Sequence, residues 1–122
     1  MPNGIEKSMD ERFLFINMYI AGEVRKLELS SGDVVAITAA LGPDNTTWSQ
    51  DGHLLVASHN APPYESLVCN DLEAGACGYE YEIVRINPSD MSRCFCVHDR
   101  SRMARFWLAN AYPDSATQTL IG

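Results

Sequence analysis

The chain has 122 residues, 46% of them hydrophobic and 20% charged, the composition of one folded domain and not of a disordered segment. Asp and Glu number 16 against 9 Lys and Arg, a formal net charge of −7, which argues against a nucleic-acid backbone or an anionic membrane surface as partner. No run approaches the roughly 18 apolar residues that cross a bilayer, and no basic segment followed by an apolar core opens the chain.

In chain order, β-strands are predicted at 5–8, 13–19, 23–29 and 34–39. They are separated by turns at Asp10-Glu11 and Ser30-Ser31-Gly32-Asp33. A second set comes at 46–49, 54–58, 81–86 and 94–97, with Asp51-Gly52 as a strong hairpin signal between the first two. The segment 103–112 fits a short helix or a strand, and 117–121 reads as a further strand. Arg93, Arg100, Arg102 and Arg105 surround Asp99 and read as a solvated surface.

The two sets are copies of one unit. Pro2, Ser8 and Asp10 recur 41 residues later as Pro43, Ser49 and Asp51, and Phe13, Leu14 and Phe15 recur as Leu54, Leu55 and Val56. Later, Lys26-Leu27-Glu28 aligns with Arg85-Ile86-Asn87 at a separation of 59, so the second copy holds 18 extra residues after His59. The second strand of each copy is apolar on consecutive residues, as a strand covered on both faces is. Units of about 40–45 residues with four antiparallel strands each describe the blades of a β-propeller. A small β-sandwich is the competing arrangement. The expected fold class is therefore all-β, with an incomplete propeller of about two blades and a partial third. The first blade takes residues 1–42, the second 43–98 with an inserted loop at 60–78, and the partial element 99–122. At this period the sequence reads as a piece of a longer ring, so a missing leader carries little weight.

Pro2-Asn3-Gly4-Ile5 followed by Ser8 and Asp10, and Pro43-Asp44-Asn45 followed by Asp51-Gly52, resemble the six-bladed propeller hydrolases. These are the gluconolactonase and senescence-marker-protein family, the paraoxonase/arylesterase family and the strictosidine-synthase-like proteins. The resemblance covers most of residues 1–98. It implies a calcium ion in the central channel, held by loops that open the innermost strands, with Asn3, Asp44 and Asn45 as ligands. Their chemistry agrees, because Ca2+ takes about six to eight hard oxygen donors from carboxylates and amides. Each of the three also has a plainer reading, since Asn and Asp beside Pro or Gly commonly shape turns. Asn45-Thr46-Thr47 is also a glycosylation sequon, and one asparagine cannot serve both ends.

Hairpin geometry brings in His59. With Asp51-Gly52 as a two-residue turn, His59 pairs across from Asp44, where it could act as general base or orient a water. The same geometry pairs Asn3 with Met18, which makes Met18 the counterpart of His59. His53 and His98 read as structural. The inserted loop leaves from the face bearing Asp44 and His59, and Tyr64 or Leu67 could cap a pocket there. Cys69 and Cys77 lie close enough for a local disulfide if the protein is exported to the periplasm or beyond; otherwise a cytoplasmic location is expected. Cys94 and Cys96 share one strand face and suit burial.

The expected function is a calcium-dependent lactone or ester hydrolase, with Asp44 and His59 as catalytic residues, Asn3, Asp44 and Asn45 as metal ligands, and a small lactone or ester as substrate. The alternatives are a non-catalytic propeller that binds a ligand on the same face and a strictosidine-synthase-like condensing enzyme. Open blade edges would favour self-association.

Overall fold

The computed structural model describes residues 1–62 and 79–104. Within them the regular structure is eight strands: β1 (Pro2–Lys7), β2 (Phe13–Met18), β3 (Glu23–Glu28), β4 (Val34–Ala39), β5 (Pro43–Trp48), β6 (Leu54–His59), β7 (Tyr79–Ile86) and β8 (Arg93–Ala104). They form two antiparallel four-stranded sheets, β1-β2-β3-β4 and β5-β6-β7-β8, each a meander in chain order. The all-β expectation holds, and every expected strand of the two copies is present, with β8 running seven residues past its expected end at 97. Among the described residues no helix is long and apolar enough to cross a membrane. Strand β8 runs on to Ala104, so the ambiguous segment at 103–112 opens as strand. Its remainder, the expected strand at 117–121 and the loop residues Tyr64, Leu67, Cys69 and Cys77 lie outside the described residues.

The repeated serine and aspartate lock the first turn of each copy. Ser8 donates its hydroxyl to Asp10 and accepts from the Phe13 amide, while the Ser8 amide donates to the Phe13 carbonyl. In the second copy Ser49 donates to Asp51 and accepts from the His53 amide, and the Ser49 amide donates to the His53 carbonyl. Side chains of this kind close turns by capturing nearby backbone groups. The two turns differ by one residue. The first loop spans 9–12, with Glu11 at φ 59°; the second spans 50–52, with Gly52 at φ 79°. A three-residue hairpin loop ending in a left-handed glycine is a standard alternative to the two-residue turn expected from Asp51-Gly52.

The core lies between the sheets. The first sheet turns Phe15, Asn17 and Val24 inward, and the second turns Leu54, Val56, Val84 and Ile86 against them, all fully buried. Trp48 meets Phe15 edge-on, with ring centroids 5.7 Å apart. Each large apolar side chain removed from water in this way contributes about 1.5–3 kcal/mol. Polar ties flank the core: Trp48 Nε1 donates to the Lys7 carbonyl at 3.0 Å, and Lys26 Nζ donates to the Pro88 carbonyl at 2.7 Å. The Lys26 ammonium also rides 4.2 Å above the Phe13 ring, a cation–π contact that carries its charge over apolar surface.

The opposite face of the first sheet is apolar as well. Register places Ile5, Ile16, Arg25 and Ile37 in one row across β1 to β4. Ile5 and Ile37 are 61% and 54% exposed, and Val34 and Val35 beside them are also exposed. One expectation is corrected on β8: Cys94 is exposed with a free thiol, not buried. It sits near the start of the outermost strand of the second sheet, where nothing described packs over it. The side chain of Cys96 lies outside the described ones.

Candidate functional site at the bulged inner strands

The first strands of both sheets, β1 and β5, are irregular at the same place. Between Pro2 and Ile5, residues Asn3 and Gly4 face only Asn17 on β2. Between Pro43 and Thr46, residues Asp44 and Asn45 face only Ala57 on β6. A bulge of this kind re-aims the side chains of the extra residues. Here it brings the amide of Asn3 onto the carboxylate of Asp44, a hydrogen bond that joins the two sheets.

Backbone packing makes this approach close. A Cβ on Gly4 would overlap the Asp44 carbonyl oxygen and lie 2.7 Å from Asn17 Nδ2. Only a residue without a side chain lets β1 and β5 meet there. Asn17, fully buried on β2, completes the joint. Its Nδ2 donates to the Asp44 carbonyl at 2.7 Å, and its Oδ1 accepts from Thr46 Oγ1 at 2.9 Å. A buried amide with both ends satisfied holds the Asp44 backbone in one position.

His59 stands beside this joint, but not where the hairpin geometry expected it. Pro43 pairs with Ser58, and the His59 amide donates to the Gly42 carbonyl at 3.0 Å. The expected Asp44–His59 strand pair is therefore corrected to Gly42–His59. The loop of three residues shifts the register by one, and the bulge at 44–45 shifts it by one more. Gly42, at φ 50°, lies so close that a Cβ would come 2.8 Å from the His59 carbonyl oxygen. In the first sheet Pro2, not Asn3, pairs with Met18. The counterpart of His59 is thus Tyr19, not Met18.

Tyr19 and His59 touch. The Tyr19 hydroxyl lies 2.9 Å from His59 Nδ1, and the rings meet edge to face at 5.7 Å and 80°. Tyr79 approaches the same imidazole at 5.6 Å. Burial pushes the His59 pKa below its ordinary value, and the nearby Asp44 carboxylate partly offsets the shift. Asp44 and His59 are therefore electrostatic neighbours although they are not strand partners.

The structure brings Asn3, Asp44 and His59 into one region. Asn45 is half-buried in the same bulge, with its Cα against Gly4. Asn3 and Asp44 carry hard oxygen donors of the kind Ca2+ takes, and a half-turn of the Asn3 amide would present Oδ1 in place of Nδ2. This donor pair is chemically compatible with part of a calcium site. Among the described residues no group of three His, Cys, Asp or Glu is gathered as a metal site. His53 sits elsewhere, at the Asp51 turn, 3.0 Å from an Arg85 nitrogen, in keeping with its structural reading. Sequence reasoning missed Asn17, Tyr19 and Tyr79. Tyr19 was reachable: matching each copy from the residue that closes its first turn, Phe13 with His53, aligns Tyr19 with His59. The sequence matches no family model and no curated protein.

Proposed function

We propose that the chain forms blades of a β-propeller whose channel face hydrolyses a lactone or ester with the help of Ca2+. One observation carries this reading: equivalent bulges in the two inner strands bring Asn3 and Asp44 into contact, with His59 beside them. Asn3, Asp44 and Asn45 would hold the ion, which when bound supplies polarisation of the substrate carbonyl and stabilises the oxyanion. Asp44 accepts a proton from the attacking water, and His59 orients a polar group of the substrate. Tyr19 and Tyr79 flank the imidazole.

A second reading has its own support. The Asn3 amide already donates to Asp44, so the pair is satisfied as a clasp between sheets, as a non-catalytic binding propeller would use it. Calcium separates the two. Binding to the native state alone raises stability by about 2.7 kcal/mol at a hundredfold excess over Kd. The hydrolase reading expects a calcium-dependent rise in melting temperature that Asp44→Ala removes, together with hydrolysis of lactone or aryl-ester substrates. No calcium shift in the wild type, with hydrolysis absent or untouched by Asp44→Ala, overturns it.

A further inference from the structure

The Tyr19–His59 contact has a chemical consequence at the imidazole. Both backbones are fixed by main-chain bonds, Tyr19 N to the Met1 carbonyl and His59 N to the Gly42 carbonyl, each 3.0 Å. Tyr19 is buried, with 8% of the residue exposed. The oxygen lies 2.9 Å from Nδ1. A phenol is a better proton donor than acceptor, and a neutral imidazole offers one bare nitrogen as acceptor. The edge-to-face ring contact at 80° holds the imidazole plane in place while the hydroxyl meets its Nδ1.

We infer that Tyr19 is the positioning residue of His59, donating its hydroxyl proton to Nδ1 so that the neutral ring carries its own proton on Nε2. The tautomer of a histidine is set by the hydrogen bond its other nitrogen makes. With Nδ1 occupied as acceptor, Nε2 is a donor. His59 then gives a hydrogen bond to an oxygen, either the Asp44 carboxylate or the carbonyl of a bound ester, and does not take a proton from water. Within the hydrolase reading, on which this role rests, Asp44 is the base and His59 the donor. Burial supports the same state, because it favours the uncharged ring.

The test is long-range 1H–15N correlation NMR on the full 15N-labelled chain without substrate or added metal, at a pH above the histidine range. The expected spectrum shows a pyridine-type signal for His59 Nδ1 and a pyrrole-type signal for Nε2. The reverse assignment overturns the inference. Tyr19→Phe keeps the ring contact and removes the hydroxyl. In that variant the two signals are expected to move toward each other as the tautomers mix, and unchanged signals overturn the inference. If Tyr19→Phe fails to fold, the wild-type assignment alone decides. The readout needs no activity, so a failed calcium or hydrolysis assay leaves the tautomer standing. A reversed tautomer in an active enzyme leaves the hydrolase reading standing and returns the base role to His59.

Discussion

Asn17 Nδ2 donates to the Asp44 carbonyl oxygen at 2.7 Å, from β2 of one sheet to β5, the first strand of the other. The same side chain accepts from Thr46 at 2.9 Å and is fully buried. One residue therefore ties together the sheet interface and the backbone of the candidate site. Asn17→Ala leaves a buried carbonyl and a hydroxyl without this partner, a loss of about 2–3 kcal/mol. Chemical denaturation should show that loss with little change in m-value. If Asp44 belongs to a calcium site, calcium-dependent stabilisation should weaken as well.

Gly4 is a point where β1 and β5 press close together. Gly4→Ala puts a methyl group against the Asp44 carbonyl, which is backbone and cannot swing away. Overpacking of this kind costs about 1–3 kcal/mol. The expected result is a lower melting temperature together with altered amide NMR shifts at both bulges. A variant as stable as wild type would mean that β1 and β5 lie farther apart.

Ser58 predicts the opposite sign. Its hydroxyl is buried at 1% exposure and has no hydrogen-bond partner among the described residues. Removing a buried, unsatisfied polar atom relieves a desolvation cost of about 1–3 kcal/mol. Ser58→Ala is therefore expected to leave stability unchanged or raise it. A clear loss in the same denaturation assay would show that the hydroxyl has a partner.

Stability should fall in two stages on acidification. His59 has a folded pKa below its unfolded value near 6.5, so the unfolded chain takes up the proton first. That contribution is complete above pH 6.5 and declines as pH falls through the folded pKa. Asp10 and Asp51 are held low chiefly by hydrogen bonds from Ser8 and Ser49. Their contribution is present above the unfolded value of 3.8 and declines as pH falls below it. Melting curves between pH 5 and 8 should show the first slope, and His59→Gln should flatten it.

Most of the fold was legible because its signals are local. Ser8 with Asp10 and Ser49 with Asp51 announce the same turn twice, and the apolar runs between turns give the strands. The register was not legible, because it depends on where single residues are added or lost. Replacing a loop of four residues with one of three leaves the hydrophobic pattern almost intact. The bulges at Asn3-Gly4 and Asp44-Asn45 then displace the strand pairing by one residue more. Resemblance implied Asn3, Asp44 and Asn45 as ligands of one ion; the hydrogen bond from Asn3 to Asp44 shows that two of the three lie side by side. Tyr19 escaped because its role comes from a neighbour 40 positions away, and only the corrected register reveals that the two are equivalent.

The contact between the sheets has a direction. Ile5, Leu14 and Ile16 of the first sheet hold the places that Thr46, Leu54 and Val56 occupy in the second, where Leu54 and Val56 share a core cluster with Phe15 and Val24 and Thr46 donates to Asn17. The joint is thus a plug facing a socket, and the first sheet shows its socket open. A copy of the first sheet set against that open face would bring Phe15 and Val24 as the plug for it. Substitution at the joint is constrained in the same asymmetric way: a change in Phe15 or Val24 must be answered in Leu54, Val56, Val84 or Ile86.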